Sequence, residues 1–415
     1  MQPPIETDIL AVGAGAAGLI AAIALARTGH RVALVGRKPP PLPGRTVALF
    51  EGSLQLLEQF DLRAMLDPAT SPISAPVRAM RIIDDTGSPF RAATGYFEAE
   101  EIGLDAFGLN VPNDDIVQAL ARVAENIDNL ETLEAFVADY AFGDDGVVAT
   151  LDDGRRVRCR LIVAGDGRNS LARRTAGIEA TEWSYPQTAI TLILRHRRAH
   201  HDTTTEYHTR SGPFTFVPMP PLPDAPYRSS LVWLVGPGEA KRLLALPREK
   251  LGERIADQAH HRFGACEIEG DIGAFPMGGM RTKAVSAPRL MLVGEACHVF
   301  PPLAAQGLNL GIRDSVDAAR ALEGVDISDA RALSQAIQSF EDSRRADIDL
   351  RTQAVDLLNR SLISGLPPVD FLRGFGMSAV SAIGPLRRAV LREGVSPHLS
   401  RFLGPLMKLA PVARR

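Results

Sequence analysis

The chain has 415 residues, of which 45% are hydrophobic and 23% charged, with a formal net charge of −3. This composition is ordinary for a globular protein of two or three domains, and it lacks the basic surplus of a nucleic-acid-binding protein. The three cysteines are too few and too widely spaced to indicate a disulfide framework or a zinc site. We expect neither a signal peptide nor a transmembrane helix, and we therefore predict a cytoplasmic protein.

The first predicted element is a nucleotide-binding βαβ unit. A short apolar strand from Asp8 leads into Gly13, Gly15 and Gly18, at the G-x-G-x-x-G spacing, and then into a helix that closes at Gly29. In this fingerprint the first glycine permits a tight turn, the second lets the backbone approach a pyrophosphate, and the third lets the helix pack on the strand. We predict that a dinucleotide binds at the N-terminus of this helix.

The second strand of this unit, 31–35, is followed by a departure from the fingerprint. An acidic residue is expected here to hold the ribose hydroxyls, whereas this chain has Gly36 and Arg37. Two interpretations are open. Either backbone groups at Gly36 hold the ribose, or Arg37 lies along the adenosine or contacts a phosphate.

Two further buried strands end in polar turns. The strand at 161–164 runs into Gly165 and Asp166, and the strand at 289–294 runs into Glu295. In open α/β sheets, ligands bind outside the carboxyl ends of the strands. These turns are therefore candidates for the same site as the glycine fingerprint.

The remaining segments complete the order of the chain. Residues 181–276 are rich in predicted strands, with a single amphipathic helix at 251–263, and read as an inserted sheet. A helix is predicted over 307–322, and the chain beyond Asp329 is mostly helical.

Three separated motifs together resemble a known family. In order they are Gly13-x-Gly15-x-x-Gly18, Ala164-Gly-Asp-Gly-Arg-Asn-Ser170 and the segment 294–311, which ends in Ala305-Gln-Gly-Leu-Asn-Leu-Gly311. They resemble the single-component FAD-dependent aromatic hydroxylases, the group that includes p-hydroxybenzoate hydroxylase. Within that group the resemblance is strongest to the ubiquinone-biosynthesis hydroxylases of the UbiH, UbiF and VisC type.

The resemblance implies an α/β fold in which a Rossmann-like FAD-binding domain carries an inserted β-sheet substrate domain and a helical C-terminal region. We expect a discontinuous FAD-binding domain over 1–75, 100–180 and 277–345. The substrate domain is expected over 76–99 and 181–276. A C-terminal helical region with a basic amphipathic tail is expected over 346–415.

The resemblance also assigns the cofactor site. Arg45 is expected near the FAD phosphates, Asp166 contacts FAD, and Glu295, where the family usually has Asp, partners the ribityl hydroxyls. The helix start at Gly307 is expected against the flavin, where its partial positive charge favours the anion of reduced flavin. The predicted cofactor-binding residues are Gly13, Gly15, Ala16, Gly18, Arg45, Asp166, Glu295, Gly307, Leu308 and Asn309.

No catalytic side chain can be assigned from the sequence. The candidates for the flavin edge are Pro301, Pro302 and Gly307. His298 lies beside them but has no identifiable partner, and we assign it no catalytic role. We predict no metal site, because the paired histidines lack carboxylate or cysteine ligands at metal spacing.

The reaction implied by the resemblance is an aromatic hydroxylation. NAD(P)H reduces FAD, O2 adds to give a C4a-hydroperoxyflavin, and one oxygen atom passes to an electron-rich ring. Phe214, Phe216 and Trp233 alternate on strands of the inserted sheet, and they either line a substrate pocket or form its core. The apolar character of this sheet favours a lipid-like phenol, a polyprenylated precursor of ubiquinone, as substrate.

Two alternative functions are compatible with the same motifs. The first is an FAD-dependent reductase of a prenyl lipid, with no oxygen insertion. The second is a non-catalytic flavin-holding scaffold of a membrane-bound biosynthetic complex.

The C-terminal segment 385–415 has the composition of a membrane-surface helix. It contains seven Lys or Arg and one acid, interleaved with apolar side chains. Near an anionic membrane each such cation contributes about 1 kcal/mol. We predict peripheral contact with the inner membrane or with a biosynthetic complex, while a helix packed on the FAD-binding domain fits the composition equally well.

Overall fold

The structure, a computed structural model, describes residues 3–88, 93–301 and 305–363, together with 374, 376, 378–380 and 382–396. The strands are β1 (Ile5–Glu6), β2 (Ile9–Val12), β3 (Val32–Val35), β4 (Thr46–Phe50), β5 (Ala75–Val77), β6 (Ala79–Asp84), β7 (Gly95–Glu98), β8 (Gly108–Pro112), β9 (Leu130–Leu133), β10 (Val137–Gly143), β11 (Gly146–Leu151), β12 (Arg156–Cys159), β13 (Leu161–Ala164), β14 (Ala180–His196), β15 (Thr203–Thr209), β16 (Gly212–Pro218), β17 (Arg228–Val235), β18 (Cys266–Thr282), β19 (Ser286–Ala287), β20 (Leu290–Leu292) and β21 (His298–Val299). The α-helices are α1 (Ala16–Arg27), α2 (Glu51–Glu58), α3 (Asn113–Ala124), α4 (Leu171–Thr175), α5 (Pro237–Leu244), α6 (Arg248–Gln258), α7 (Gln306–Leu322), α8 (Ala330–Ile363) and α9 (Gly384–Val395), and short 3-10 turns lie at Ala64–Leu66, Ala99–Ile102 and Gly294–Ala296.

A parallel sheet forms the centre of one of the two large parts of the fold, the part that contains the three sequence motifs. Its order is β19-β20-β13-β2-β3-β9, in which only the short β19 is antiparallel to its neighbour. Every residue of β2, β3 and β13 is buried, as expected for parallel strands covered on both faces. The three strands that lead into the sequence motifs, β2, β13 and β20, are therefore immediate neighbours.

Two small sheets flank this centre. One has the order β1-β12-β11-β10, and the other has the order β4-β8-β5. The hydroxyl oxygens of Thr46, on β4, and Ser230, on β17, are 2.8 Å apart. The three-stranded sheet therefore joins the parallel sheet to the second half of the fold.

An eight-stranded sheet forms that second half, with the order β21-β18-β14-β17-β16-β15-β6-β7. Its two longest strands, β14 and β18, have 17 residues each and form an antiparallel pair. One face packs against α5 and α6 to form a separate hydrophobic core. The opposite face points towards β4, and it is described with the site below.

The helical cover of this sheet differs from the single predicted helix at 251–263. It consists of two helices, α5 and α6, and the first begins with Pro237 in its first turn. The second ends at Gln258 because His260 and His261 have φ of 49° and 51°, in the left-handed region. The prediction of one longer helix was therefore wrong at both ends.

The helical region that follows α7 is dominated by α8, which runs for 34 residues. It packs along α7, and α9 lies against the edge of the eight-stranded sheet, where Glu393 comes within 3.8 Å of Arg351 on α8. Within the described part of the chain, none of the helices combines the length and the apolar character required to cross a bilayer.

Candidate functional site

The three sequence motifs meet at the carboxyl edge of the parallel sheet. A side-chain carbon placed on Gly13 would lie 2.3 Å from the carbonyl oxygen of Gly165. One placed on Gly294 would lie 2.9 Å from the Cβ of Ala17 in α1. The turns after β2 and β13 thus pack backbone against backbone, and the turn after β20 packs closely on α1, so these contacts require glycine.

The glycines of the first motif have different surroundings. Gly13 has φ of +108°, and a Cβ on Gly18 would lie 1.9 Å from the carbonyl oxygen of Gly13, so both positions are closed to other residues. Gly15 has φ of −81°, and nothing lies within 4 Å of its would-be Cβ. Gly15 therefore faces open space at the N-terminus of α1, where a pyrophosphate is predicted.

The N-terminus of α1 is prepared for an anion. No described side chain caps it, and its first turn, which begins at Ala16, contains no acidic residue. The first amide groups of a helix have no partner within the helix, and they carry its partial positive charge. A phosphate beside Gly15 would accept hydrogen bonds from these amide groups and would neutralise their partial positive charge.

The missing acid at position 36 has a steric explanation. A Cβ on Gly36 would lie 2.4 Å from the backbone nitrogen of Ala14, so no side chain fits there. Arg37 forms an ion pair of 2.7 Å with Asp152, and its guanidinium lies 4.8 Å from the ring centroid of Phe136. Arg37 is engaged by these two residues, and the backbone nitrogen of Gly36 donates to the carbonyl oxygen of Leu133 at 3.2 Å, so both interpretations of how the ribose is held stay open.

Asp166 carries one oxygen that is satisfied and one that is not. Its Oδ2 accepts hydrogen bonds from the backbone nitrogens of Leu171, at 2.9 Å, and Ala172, at 3.4 Å. Its Oδ1 is buried and has no partner among the described residues. Buried carboxylate oxygens are rarely left without a donor, so this atom is suited to a hydroxyl of a bound ligand.

Arg45 and Glu295 come from different elements and face each other. Arg45 directly precedes β4, Glu295 follows β20, and their charged groups are 3.2 Å apart. Both side chains are largely exposed, so a surface pair of this kind contributes little stability by itself. Two of the predicted cofactor-binding side chains thus lie together on the accessible side of the site.

The start of α7 is fixed by Asn309. Its amide nitrogen donates to the carbonyl oxygens of Ala48, at 2.7 Å, and Ala305, at 2.6 Å, and its amide oxygen accepts from the backbone nitrogen of Phe50, at 3.0 Å. Asn309 is buried and its side chain is fully used within the protein. It therefore positions the helix start against β4, and its predicted contact with the cofactor stays a prediction.

The other residues at this helix start are more accessible. Gly307 is exposed, with nothing within 4 Å of its would-be Cβ, and Leu308 is half-buried. Pro301 is buried at the end of the preceding described segment. Pro302, also predicted at the flavin edge, lies outside the described residues.

A buried charge network beneath this region was not predicted. Asp314, on α7, accepts from His298 Nε2 at 2.6 Å, from the backbone nitrogen of Gly294 at 2.9 Å and from Arg344 Nε at 2.8 Å. Burial acts to raise the pKa of Asp314, but His298 and Arg344 outweigh it and hold this pKa below its usual value. Arg344 also contacts Asp347, at 2.9 Å. The network ties the turn after β20 to both α7 and α8.

The same cluster provides the partner that His298 lacked in the sequence. Ligand atoms of Cys297, His298 and Asp314 lie within 4.8 Å of one another, which is compatible with a metal site. Both oxygens of Asp314 already accept hydrogen bonds, however, and Arg344 neutralises its charge. We interpret the cluster as a positioning network for the turn at Gly294.

The three aromatic residues of the inserted sheet lie in its core. Phe214 and Phe216 are completely buried, and the ring centroid of Trp233 is 4.9 Å from that of Phe214. They pack with Leu251 and Ile255 of α6, on the face that points away from β4. Of the two interpretations left open by the sequence, the structure shows the core and not the pocket lining.

The opposite face of the same strands is the one that approaches β4, and we call it the inner face. It includes Met80, Ile82, Glu206, Thr215, Val217 and Val232, which alternate along their strands with the buried core residues. All six are partly accessible although β15, β16 and β17 are interior strands. From this exposure we infer that the inner face borders a hollow beside β4, next to the cluster in which Met80, Ile82 and Val217 pack with Phe50.

A family model that describes the FAD-binding domain matches residues 6–350 of this chain. The chain belongs to this FAD-binding family. The resemblance predicted from the three motifs is confirmed, and so are FAD as the cofactor and the class of FAD-dependent monooxygenase.

Named relatives of this FAD-binding chain extend over nearly all of it. Ubiquinone hydroxylase UbiL of Rhodospirillum rubrum is 32% identical, over 94% of this chain and 89% of the relative. The 3-demethoxyubiquinol 3-hydroxylase of Escherichia coli is 28% identical, over 93% of this chain and 97% of the relative.

Solved structures of two monooxygenases share the fold. The p-nitrophenol 4-monooxygenase PnpA of Pseudomonas putida matches with a TM-score of 0.77 at 16% identity, over 95% of this chain and 99% of that chain. PqsL of Pseudomonas aeruginosa matches with a TM-score of 0.71 at 22% identity, over 89% and 100%. The predicted α/β fold, with a Rossmann-like domain and an inserted sheet, is confirmed.

The residues present at the motif junction fit the FAD cofactor of the family. The open space at Gly15 and the uncapped α1 suit its pyrophosphate, and the orphan oxygen of Asp166 suits a hydroxyl group. Glu295 offers a second carboxylate, and the backbone at Gly307 is open towards the same region. We propose these residues as FAD contacts.

Proposed function

We propose that the protein hydroxylates the aromatic ring of a polyprenylated phenol in ubiquinone biosynthesis, with NAD(P)H and O2 as co-substrates. The observation that carries this proposal is the inner face, a partly accessible and mainly apolar surface beside β4 and the helix start that we assign to the flavin. The names of the relatives, a ubiquinone hydroxylase and a 3-demethoxyubiquinol 3-hydroxylase, support the same substrate class.

When bound, FAD supplies the redox chemistry, since it takes up electrons from NAD(P)H and activates O2. The chain's own residues have three tasks. The amide groups at the start of α7, including that of Gly307, stabilise negative charge. Asn309 holds that helix start against β4, and the apolar residues of the inner face exclude water from the reacting ring.

The lipid character of the substrate follows from the same surface. Ile82, Val217 and Val232 offer apolar contact, and each buried CH₂ group of a prenyl chain contributes about 0.8 kcal/mol. A water-soluble phenolic acid gains none of this energy. The inner face therefore favours a prenylated phenol over its head group alone.

We expect the purified holoenzyme, given NAD(P)H and O2, to hydroxylate a short-chain prenylated phenol, with hydroxylated product equal to a large share of the NAD(P)H consumed. The product is quantified by mass spectrometry, and p-hydroxybenzoate is tested in parallel. Coupled turnover of p-hydroxybenzoate with none of the prenylated phenol would refute the quinone-pathway assignment. NAD(P)H oxidation that yields no hydroxylated product from either compound would refute hydroxylation itself.

We further propose that α9 places the enzyme on an anionic membrane surface. One side of α9 is docked on the protein, because Leu391 and Val395 are buried and Arg387 forms an ion pair with Glu101. On the other side, Leu386 and Val390 are 40% and 46% exposed and lie one helical turn apart. The predicted tail beyond Ser396 lies outside the described residues.

The charge around these exposed residues favours lipid as the occupant. Arg388 and Arg392 are exposed on the same helix, next to the apolar pair. A helix with cations beside an apolar stripe is typical of a segment at the bilayer interface. The docked side of α9 belongs to the cluster that includes Val217 of the inner face, so the helix stands between the surface and the hollow.

We expect the double variant Leu386→Ser, Val390→Ser to bind anionic vesicles at least tenfold more weakly than the parent, because about 1.5 kcal/mol or more is lost with each apolar side chain. Flotation with vesicles that contain phosphatidylserine measures this binding. The control Leu244→Ser, Leu357→Ser removes apolar residues that are 40% and 71% exposed elsewhere. Equal binding by both double variants, or binding that is insensitive to raised salt, would contradict the proposal.

A further inference from the structure

A single carboxylate lies in the middle of the apolar inner face. Glu206 is on β15, an interior strand, and its register neighbours on the same face are Ile82 on β6 and Thr215 on β16. The next residue in that row is Val232 on β17. Its side chain is 21% accessible, so it borders the hollow and is not sealed in the sheet.

Two neighbours hold this carboxylate in place. His208 Nε2 lies 2.7 Å from Oε1, and the hydroxyl of Thr215 donates to Oε2 at 3.2 Å. Burial acts to raise the pKa of Glu206, but the hydrogen bonds from His208 and Thr215 prevail and the pKa is lowered. The group is therefore an ionised carboxylate at neutral pH, with a fixed orientation.

The surroundings of Glu206 are otherwise apolar. On one side, Ile82 and Val217 belong to the cluster that contains Phe50 of β4, and on the other Val232 packs against Leu234. The described charged or titratable groups on this part of the face are His208 and, beside it in register on β6, Asp84. Burial of an ionised carboxylate costs free energy unless hydrogen-bond donors occupy its acceptor positions.

A carboxylate has about four acceptor positions, of which the two protein donors occupy two. We propose that Glu206 accepts the hydrogen bond of the substrate's phenolic hydroxyl and thereby selects a free phenol. This inference rests on the proposed function, which supplies the phenol. A hydrogen bond from O–H to an ionised carboxylate is short and strong, and it increases the electron density of the ring that is to be hydroxylated.

The same charge explains which ring compounds are rejected. A phenyl ether has no hydrogen to donate, so it would cover the remaining acceptor positions of Glu206 without supplying a donor, which is the condition that gives strong discrimination. A benzoate would bring a second negative charge against the first. Glu206 is thus a specificity-determining residue for the hydroxyl group, whereas the apolar inner face selects the prenyl chain.

The test compares a short-chain prenylated phenol with its methyl ether. Dissociation constants are measured on the oxidised holoenzyme from the change in flavin absorbance, and product is measured by mass spectrometry. We expect the parent protein to bind the phenol about 10- to 100-fold more tightly than the ether, and Glu206→Gln to reduce this ratio to within a few-fold of one. The matched control, Glu267→Gln, changes an exposed carboxylate on β18 and should keep the parent ratio.

A second variant, Glu206→Met, tests the same inference if Glu206→Gln does not fold or does not bind FAD. Glu206→Met fills a similar volume without a polar group, and it should bind the ether at least as tightly as the phenol. A parent-like preference for the phenol in either folded variant would overturn the inference while leaving the hydroxylase assignment intact. A parent enzyme that hydroxylates no phenol would refute the proposed function instead.

Discussion

Gly15→Val is expected to abolish FAD binding while leaving the fold intact. The backbone of Gly15 has φ of −81°, which valine adopts without strain, and its Cβ would enter open space in the protein. With FAD present, that space is where the pyrophosphate must approach α1. Loss of two charge-assisted hydrogen bonds, at about 1.5–3 kcal/mol each, weakens binding by at least roughly 100-fold.

Flavin absorbance of the purified protein, the dissociation constant for added FAD, and far-ultraviolet circular dichroism measure this outcome. The matched control is Gly238→Val, at an exposed glycine of α5 that is likewise free of contacts within 4 Å. It should retain FAD. Normal FAD binding by Gly15→Val would show that the pyrophosphate does not lie at the α1 N-terminus, whereas Gly13→Val and Gly18→Val are expected to unfold the protein because their Cβ atoms would overlap backbone.

Asp314→Ala is expected to lower the free energy of unfolding by about 3–5 kcal/mol. The substitution leaves Arg344 as a buried cation with one carboxylate fewer, and it leaves His298 Nε2 and the amide of Gly294 without their acceptor. Chemical denaturation followed by circular dichroism measures the loss. FAD affinity should also fall, because the turn at Gly294 is no longer held.

The pH dependence provides a second measurement on the same variant. Because the pKa values of Asp314 and Asp347 are held below the usual value, both carboxylates stabilise the folded protein above about pH 4 and lose this effect as the pH falls further. The stability of Asp314→Ala should therefore fall less steeply in acid than that of the parent. The control is Glu253→Ala, which breaks an exposed pair with Lys250 on α6. An equally small loss for both variants would contradict a structural role for the network.

The cofactor half of the fold was predictable because its signals are local. The spacing of Gly13, Gly15 and Gly18 reports a backbone geometry that few other folds require, and the polar turns at Asp166 and Glu295 directly follow apolar strands. Parallel strands align their carboxyl ends, so these three motifs had to meet.

The Asp314 network could not be derived in the same way. His298 and Arg344 are 16 and 30 residues from Asp314 along the chain, and the pairing depends on how α7 and α8 pack. The available signal was one acid, Asp314, at helical spacing between the apolar residues Leu310 and Ala318, which indicates a partner without identifying it.

The inner face was missed for a different reason. Alternation along β16 and β17 correctly separates two sets of residues, but it does not say which set faces a helix and which faces the hollow. The large aromatic residues suggested a ring-binding surface. Instead, their side chains fill the core between the sheet and the helices α5 and α6. The inner face carries smaller residues on β16, Thr215 and Val217, which is compatible with the substrate site that we propose there.

On β15 to β17, core residues alternate with inner-face residues, and this alternation affects how the family can diversify. Phe216 packs in the core against α6, whereas Val217 lies on the inner face, where it packs beside Leu391 and stays partly accessible, although the two are neighbours on the chain. Substitutions at the inner-face positions can therefore change which aromatic substrate is bound. The core positions between them stay the same, so the protein remains folded at each step. Saturation mutagenesis of β15 to β17 should show tolerance that rises and falls with a period of two, with activity on a new substrate found only among changes at inner-face positions, which are even-numbered on β15 and β17 and odd-numbered on β16.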